Sequence, residues 1–115
     1  MIADTSYLFS LFNEDDDLNP SALEIFGGLM EETILVPDRV LEELFTITSY
    51  KLGVGTASLY LRKITSNAKF AIYCFDKEER DAVLRLAESK KVRMSFVDYL
   101  VLYLAQKTGE KLLCF

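Results

Sequence analysis

Thr33-Ile34-Leu35-Val36-Pro37-Asp38-Arg39-Val40-Leu41-Glu42-Glu43-Leu44 changes character in its middle. Thr33 to Val36 is a short β-branched and apolar run that proline closes, so it reads as a buried strand. Asp38 is then placed to cap a helix running from Arg39 to about Leu52. That helix has an apolar stripe of Val40, Leu41, Leu44, Phe45, Ile47 and Thr48 on one side. A buried strand passing directly into an amphipathic helix is half of a βαβ unit.

The same alternation extends in both directions. Towards the N-terminus, Met1 to Ala3 reads as a strand, Asp4-Thr5-Ser6 as a turn, and Tyr7 to Phe12 as a short helix. Asn13 to Asn19 holds the self-repelling run Glu14-Asp15-Asp16-Asp17 and reads as a solvated loop. Asn19-Pro20 opens a helix to about Met30, with Asn19 as its cap and Pro20 in the first helical position. Towards the C-terminus, Gly53-Val54-Gly55 is a break and Thr56 restarts a helix to about Ser66. Phe70 to Phe75 is a third strand. Asp76 with Glu79 forms a capping box for a helix from Lys77 to Lys90. Ser95, with Asp98 three residues on, opens the last helix and Gly109 closes it. Apolar side chains at every angle between Phe96 and Leu104 predict deep burial of that helix. Lys111 to Phe115 is a fourth strand. Strands alternating with helices predict an α/β fold, with helices on both faces of a parallel sheet.

The chain has 115 residues, enough for one domain, and half of them are apolar, with eight Phe and six Tyr. Roughly two-thirds of the unfolded chain's surface is buried at this length, so no disulfide or structural metal is needed. There is no histidine and no closely spaced cysteine pair. Zinc sites, Ser-His-Asp triads and Cys-His dyads are excluded. Cys74 and Cys114 each lie in an apolar run and are expected as buried, reduced thiols. No run reaches the roughly 18 apolar residues of a membrane span, and the N-terminus lacks the pattern of a secretory leader. A cytoplasmic protein that does not enter the membrane is expected. The formal charge of −5 opposes non-specific attraction to nucleic acid, so any such role needs a local patch or bound cations.

Three carboxylates stand where a parallel sheet places its sites, at the C-terminal ends of strands. Asp4 ends the first strand, Glu43 lies on the helix after the second, and Asp98 lies in the first turn of the most apolar helix. Each also has a plainer use. Asp4 can cap the short helix that follows it. Glu43 can be surface charge, although it sits nearer the apolar stripe than Glu42. Asp98 can complete a capping box with Ser95 and answer the helix dipole. Acids held together repel and raise one another's pKa unless a cation neutralises them. An all-oxygen set without His or Cys selects a hard ion, Mg²⁺ or Mn²⁺.

At these residues the chain resembles the PIN-domain family, which includes the toxin ribonucleases of VapBC pairs. The resemblance rests on Ile2-Ala3-Asp4-Thr5-Ser6, on Val36-Pro37-Asp38-Arg39-Val40-Leu41-Glu42-Glu43-Leu44, and on Met94-Ser95-Phe96-Val97-Asp98 leading into the helix Tyr99 to Gly109. It continues into Lys111 to Phe115 and spans the chain in order. It implies a single PIN-like domain over residues 1–115, a three-layer α/β/α fold with parallel strands in the order 3-2-1-4. It also implies that Asp4, Glu43 and Asp98 are catalytic metal-binding acids, with Ser6 beside the first and Ser95 supporting the last. Mg²⁺ or Mn²⁺, an RNA substrate, an antitoxin protein and a homodimer follow from the same resemblance. In the family the strand matching Leu112 to Phe115 is followed by a further acid and another short strand. The sequence here stops at Phe115 without that short strand, and either it is cut short or the further acid is absent.

Two function classes compete with a metal-dependent ribonuclease. One is a catalytically impaired PIN-like domain serving as a binding module or RNA-associated scaffold, which the acidic charge favours. The other is a phosphate-accepting receiver domain. Receivers carry paired acids at the first strand, where Asp4 stands alone.

Overall fold

The computed structural model describes residues 1–115. Four strands, β1 (Ile2–Ala3), β2 (Ile34–Pro37), β3 (Phe70–Tyr73) and β4 (Leu112–Leu113), form one sheet in the order β3-β2-β1-β4. Every neighbouring pair is parallel. Ile2 lies opposite Leu35 and Leu112, Ala3 opposite Leu113, and Ile34 to Pro37 opposite Phe70 to Tyr73. This is the order implied by the resemblance.

The strands are joined by helix pairs: α1 (Thr5–Phe12) with α2 (Asn19–Gly28), α3 (Asp38–Leu52) with α4 (Val54–Thr65), and α5 (Lys77–Lys90) with α6 (Phe96–Thr108). The chain steps from β1 outward to β2 and β3, then returns past β1 to β4. Right-handed crossovers then put the first two helix pairs on one face and the third on the other. The packing agrees, since α3 meets α4 and α1, α1 meets α2, and α5 meets α6. One cluster of 20 buried apolar residues runs through the sheet, with Ile2, Ala3, Ile34 and Val36 fully enclosed on the strands. Leu8, Leu44, Leu100 and Leu104 reach it from the helices.

The breaks lie close to where the sequence puts them, but the first is Gly53 alone, since Val54 and Gly55 already belong to α4. Gly53 (φ 94°) separates α3 from α4 and Gly109 (φ 72°) ends α6, both in backbone conformations that a Cβ disfavours. Both capping boxes form. Glu79 N donates to Asp76 Oδ1 at 2.8 Å, and Asp98 N donates to Ser95 Oγ at 3.1 Å.

Four expectations are corrected. Asn19 does not cap α2; it lies inside the helix, buried, and its amide donates to Ser10 O (2.8 Å) and Leu11 O (3.1 Å). The last carbonyls of α1 have no helical donor of their own, and this buried side chain supplies one. Asp38 is likewise the first residue of α3 rather than its cap, and accepts from Arg39 N at 2.8 Å. Helix α6 is buried on one side only: Tyr99, Leu100, Val101 and Leu104 are enclosed, while Phe96 is 42% exposed. It lies in an outer layer, so its far side meets solvent whatever its sequence. Finally, Cys74 and Cys114 are exposed. Both follow edge strands that stop early, β3 at Tyr73 and β4 at Leu113, so the thiols fall just past the paired residues.

Candidate metal centre

The order of strands reverses between β1 and β4, and the chain leaves β1 at Asp4. The Asp4 N–H donates to Leu113 O at 2.9 Å, which pins the residue beside the end of β4. Its backbone is extended (φ −92°, ψ 166°) and its carboxylate accepts from Thr5 N at 2.7 Å, capping α1. Ser6, the second residue of that helix, accepts from Phe115 N at 3.0 Å. The segment after β4 is thereby tied over the start of α1.

A pocket of about 400 Å³ opens at this point. Asp4, Thr5 and Ser6 form one wall, Glu43, Ile47 and Lys51 of α3 another, and Asp16 and Phe115 complete the rim. Thr5 Oγ1 is buried in this wall with no hydrogen-bond partner. A larger hollow of about 570 Å³ lies elsewhere, lined by Leu11, Phe12, Leu23, Phe26 and Phe70. It holds no carboxylate.

Glu43 and Glu42 separate clearly. Glu43 is half-buried and lines the pocket, whereas Glu42 is exposed and pairs with Arg39 Nη1 at 3.1 Å. Asp98 is different from what its apolar neighbours suggest. It is exposed, it is not part of the pocket lining, and its Oδ2 accepts from Ser95 N at 3.3 Å. The capping use of Asp98 is therefore real. So is its proximity to the site. Burial pushes the Asp4 carboxyl above the ordinary aspartate value, the Thr5 N–H bond opposes this, and the charges of Asp98 and Glu43 push it further up. Asp98 and Glu43 thus both act on Asp4 through charge. As the side chains stand, no group of three acids is gathered closely enough to hold one ion.

The donor set suits a divalent hard cation. All three candidate ligands are carboxylates, Asp4 bears an unfavourable charge that a cation would relieve, and an unpartnered hydroxyl lies in the wall. Asp76 takes no part; it caps α5 beyond β3, at the far edge of the sheet.

Two contributors were not legible as such in the sequence. Asp16 belongs to an acidic run that is otherwise exposed, yet it is half-buried and accepts from Ser10 Oγ (3.1 Å) and Leu18 N (2.8 Å). Its position two residues before Leu18, at a helix entry, is the signal of an Asx turn. Lys51 lies eight residues beyond Glu43, with Ile47 between them. That spacing of four puts all three on one line of the helix surface.

A family model for the PIN domain matches residues 1–115. The chain belongs to the PIN domain family. No curated protein sequence matches it. Among solved structures, this PIN domain is similar to Mycobacterium tuberculosis VapC20, described as a sarcin-ricin loop cleaving toxin. The TM-score is 0.87 at 18% identity, over 99% of this chain and 88% of that one. It is also similar to a chain of a toxin–antitoxin complex from Klebsiella pneumoniae, with a TM-score of 0.65, 17% identity, and 96% and 82% coverage. A chain of VapBC2 from Rickettsia felis, bound to a DNA fragment from its promoter, gives 0.67 at 19% identity, with 96% and 83% coverage. At these identities the likeness is one of fold. The fold that the PIN domain shares with VapC toxins is the one described above.

Proposed function

We propose that this PIN domain is a divalent-metal-dependent endoribonuclease, the toxin of a toxin–antitoxin pair, acting in the cytoplasm. The observation that carries this reading is the placement of Asp4 and Glu43 in one pocket at the point where the strand order reverses, with Asp4 pinned beside the end of β4. Family membership and the fold shared with toxins, one described as a sarcin-ricin loop cleaving toxin, support the same reading. Asp4, Glu43 and Asp98 would hold Mg²⁺ or Mn²⁺, which supplies an activated water and stabilises charge on the phosphodiester. Ser95 fixes Asp98 through reciprocal hydrogen bonds, and Ser6 fixes the segment after β4 beside Asp4. An antitoxin partner is proposed from the two toxin–antitoxin relatives. A homodimer is proposed from the apolar surface left open near the α3–α4 junction, where Tyr50 is 87% and Val54 63% exposed.

The second reading, an impaired PIN domain that binds without cleaving, is favoured by one observation. Asp98 is turned to its helix cap and the acids do not yet converge. The two part on a single assay. Purified protein is incubated with mixed-sequence single-stranded RNA in millimolar Mn²⁺ or in EDTA, beside Asp4→Asn. Endonucleolytic cleavage by the wild type alone, and only with Mn²⁺, is expected. Cleavage that survives in EDTA or in Asp4→Asn contradicts the proposal, and no cleavage at all leaves the binding module.

A further inference from the structure

We propose that Lys51 is the pocket's phosphate-binding residue, holding the backbone of a single-stranded RNA beside the acidic centre. This rests on the ribonuclease reading for its substrate class. A chain of net charge −5 gains nothing from its overall field when a polyanion approaches, so attraction has to come from a local cation. Lys51 is the only basic side chain lining the pocket that holds Asp4 and Glu43.

Its ammonium is also uncommitted. The protein's ion pairs are Met1 with Glu110, Arg39 with Glu42, and Lys107 with Glu79; Lys51 is in none of them. Three lysines lie over aromatic rings. Lys69 and Lys107 are also hydrogen-bonded, to Leu29 O and to Tyr73 and Glu79 respectively, but Lys51 has only the Phe9 ring, 5.2 Å from its centroid. Phe9 lines the same pocket. A ring beside the ammonium holds it in place while leaving the N–H donors on its open side for a phosphate oxygen. Position on α3 does the rest. Glu43, Ile47 and Lys51 follow one line at spacings of four residues, about 6 Å of rise per step. Lys51 therefore sits two steps, about 12 Å of rise, along the helix from the acid, so a phosphate that it holds lies beside the acidic centre and not within it. The plainer use of Lys51, a positive charge in the last turn of α3, concerns stability alone and predicts nothing about RNA.

The test compares wild type, Lys51→Met and Lys51→Arg. Binding of a fluorescein-labelled 12-nucleotide single-stranded RNA is followed by anisotropy in Ca²⁺, at salt from 50 mM upward, with thermal melting as the folding control. One lost phosphate contact on a single strand flattens the slope of log K against log[salt] by about 0.7, or about an eightfold loss of affinity at 50 mM. Lys51→Met is expected to show both changes, Lys51→Arg neither, and all three to melt alike. Equal slopes in wild type and Lys51→Met overturn the proposal, as does a loss confined to melting temperature. Cleavage of the same RNA in Mn²⁺ forms a separate arm. If wild type binds with the lysine-dependent slope but never cleaves, the ribonuclease reading fails and the phosphate site stands.

Discussion

Replacing Asp4 by Asn separates the two uses of this residue, because Asn caps a helix about as well as Asp but carries no charge. In the metal-free protein the wild-type carboxyl is held above its ordinary value by burial, then by Asp98 and Glu43. The sign follows from linkage. An acid whose native pKa is raised loses protons first in the unfolded state, so stability falls as pH climbs from 3.8 through the raised native value and is level above it. Asp4→Asn removes that loss, and at pH 7 without metal it should melt at or above the wild type. Added Mn²⁺ should reverse the order. With roughly 2.1 cal/mol/K of unfolding entropy per residue, a domain of 115 residues shifts about 4 °C per kcal/mol. Mn²⁺ at ten times its dissociation constant contributes about 1.4 kcal/mol, or about 6 °C. Tenfold weaker binding leaves about 0.4 kcal/mol, under 2 °C. The assay is thermal melting of both proteins with and without Mn²⁺ at one fixed concentration. Equal metal-induced shifts, or an Asn variant that melts well below wild type without metal, would refute the reasoning and leave Asp4 as a helix cap.

Other elements give their own tests. Leu44 is fully buried in the single core, so Leu44→Ala should cost about 2–5 kcal/mol in urea unfolding; a cost under 1 kcal/mol contradicts its placement. Burial pushes the Glu79 carboxyl up, but hydrogen bonds from Tyr73, Lys107 and the Asp76 N–H, with the Lys107 charge, outweigh it and hold the group below its ordinary value. Its stabilisation is whole above about pH 4.5 and fades as pH falls through the lowered native value, so Glu79→Gln should flatten the acid side of the stability profile. An unchanged acid limb would count against the Tyr73-Glu79-Lys107 network. Cys74 and Cys114 should both react with a thiol reagent in the folded protein, and labelling that waits for unfolding would contradict their exposure.

The sequence carried the succession of strands and helices well, for a physical reason, while the order of strands in the sheet came from the family resemblance. Strand and helix are announced by different periods, and the punctuation at Pro37, Gly53, Asp76, Ser95 and Gly109 is local chemistry that tertiary packing had no cause to override. The preference for Glu43 over Glu42 was readable from its angle to the apolar stripe, since a residue at the stripe's margin faces the seam between helix and sheet. Burial was less legible. The apolar run through α6 looked enclosed on all sides, but which side faces solvent depends on what packs against it. Asn19 shows the same limit. Its type and its neighbour Pro20 describe a cap, while the unsatisfied carbonyls it serves belong to another helix. Asp16 and Lys51 entered the pocket through the folding of a loop and the length of α3, neither of which a scan for acidic motifs weighs.

The central claim is that the acids at the β1–β4 switch point hold a divalent cation. Anomalous diffraction from a crystal of the wild-type protein soaked in Mn²⁺ tests it most directly. The account predicts one strong peak bonded to Asp4, with the Glu43 and Asp98 carboxylates drawn towards it and the Asp98 contact to Ser95 N lengthened or broken. A peak-free pocket at millimolar Mn²⁺, or manganese bound only at the exposed acidic loop of Glu14, Asp15 and Asp17, would contradict it.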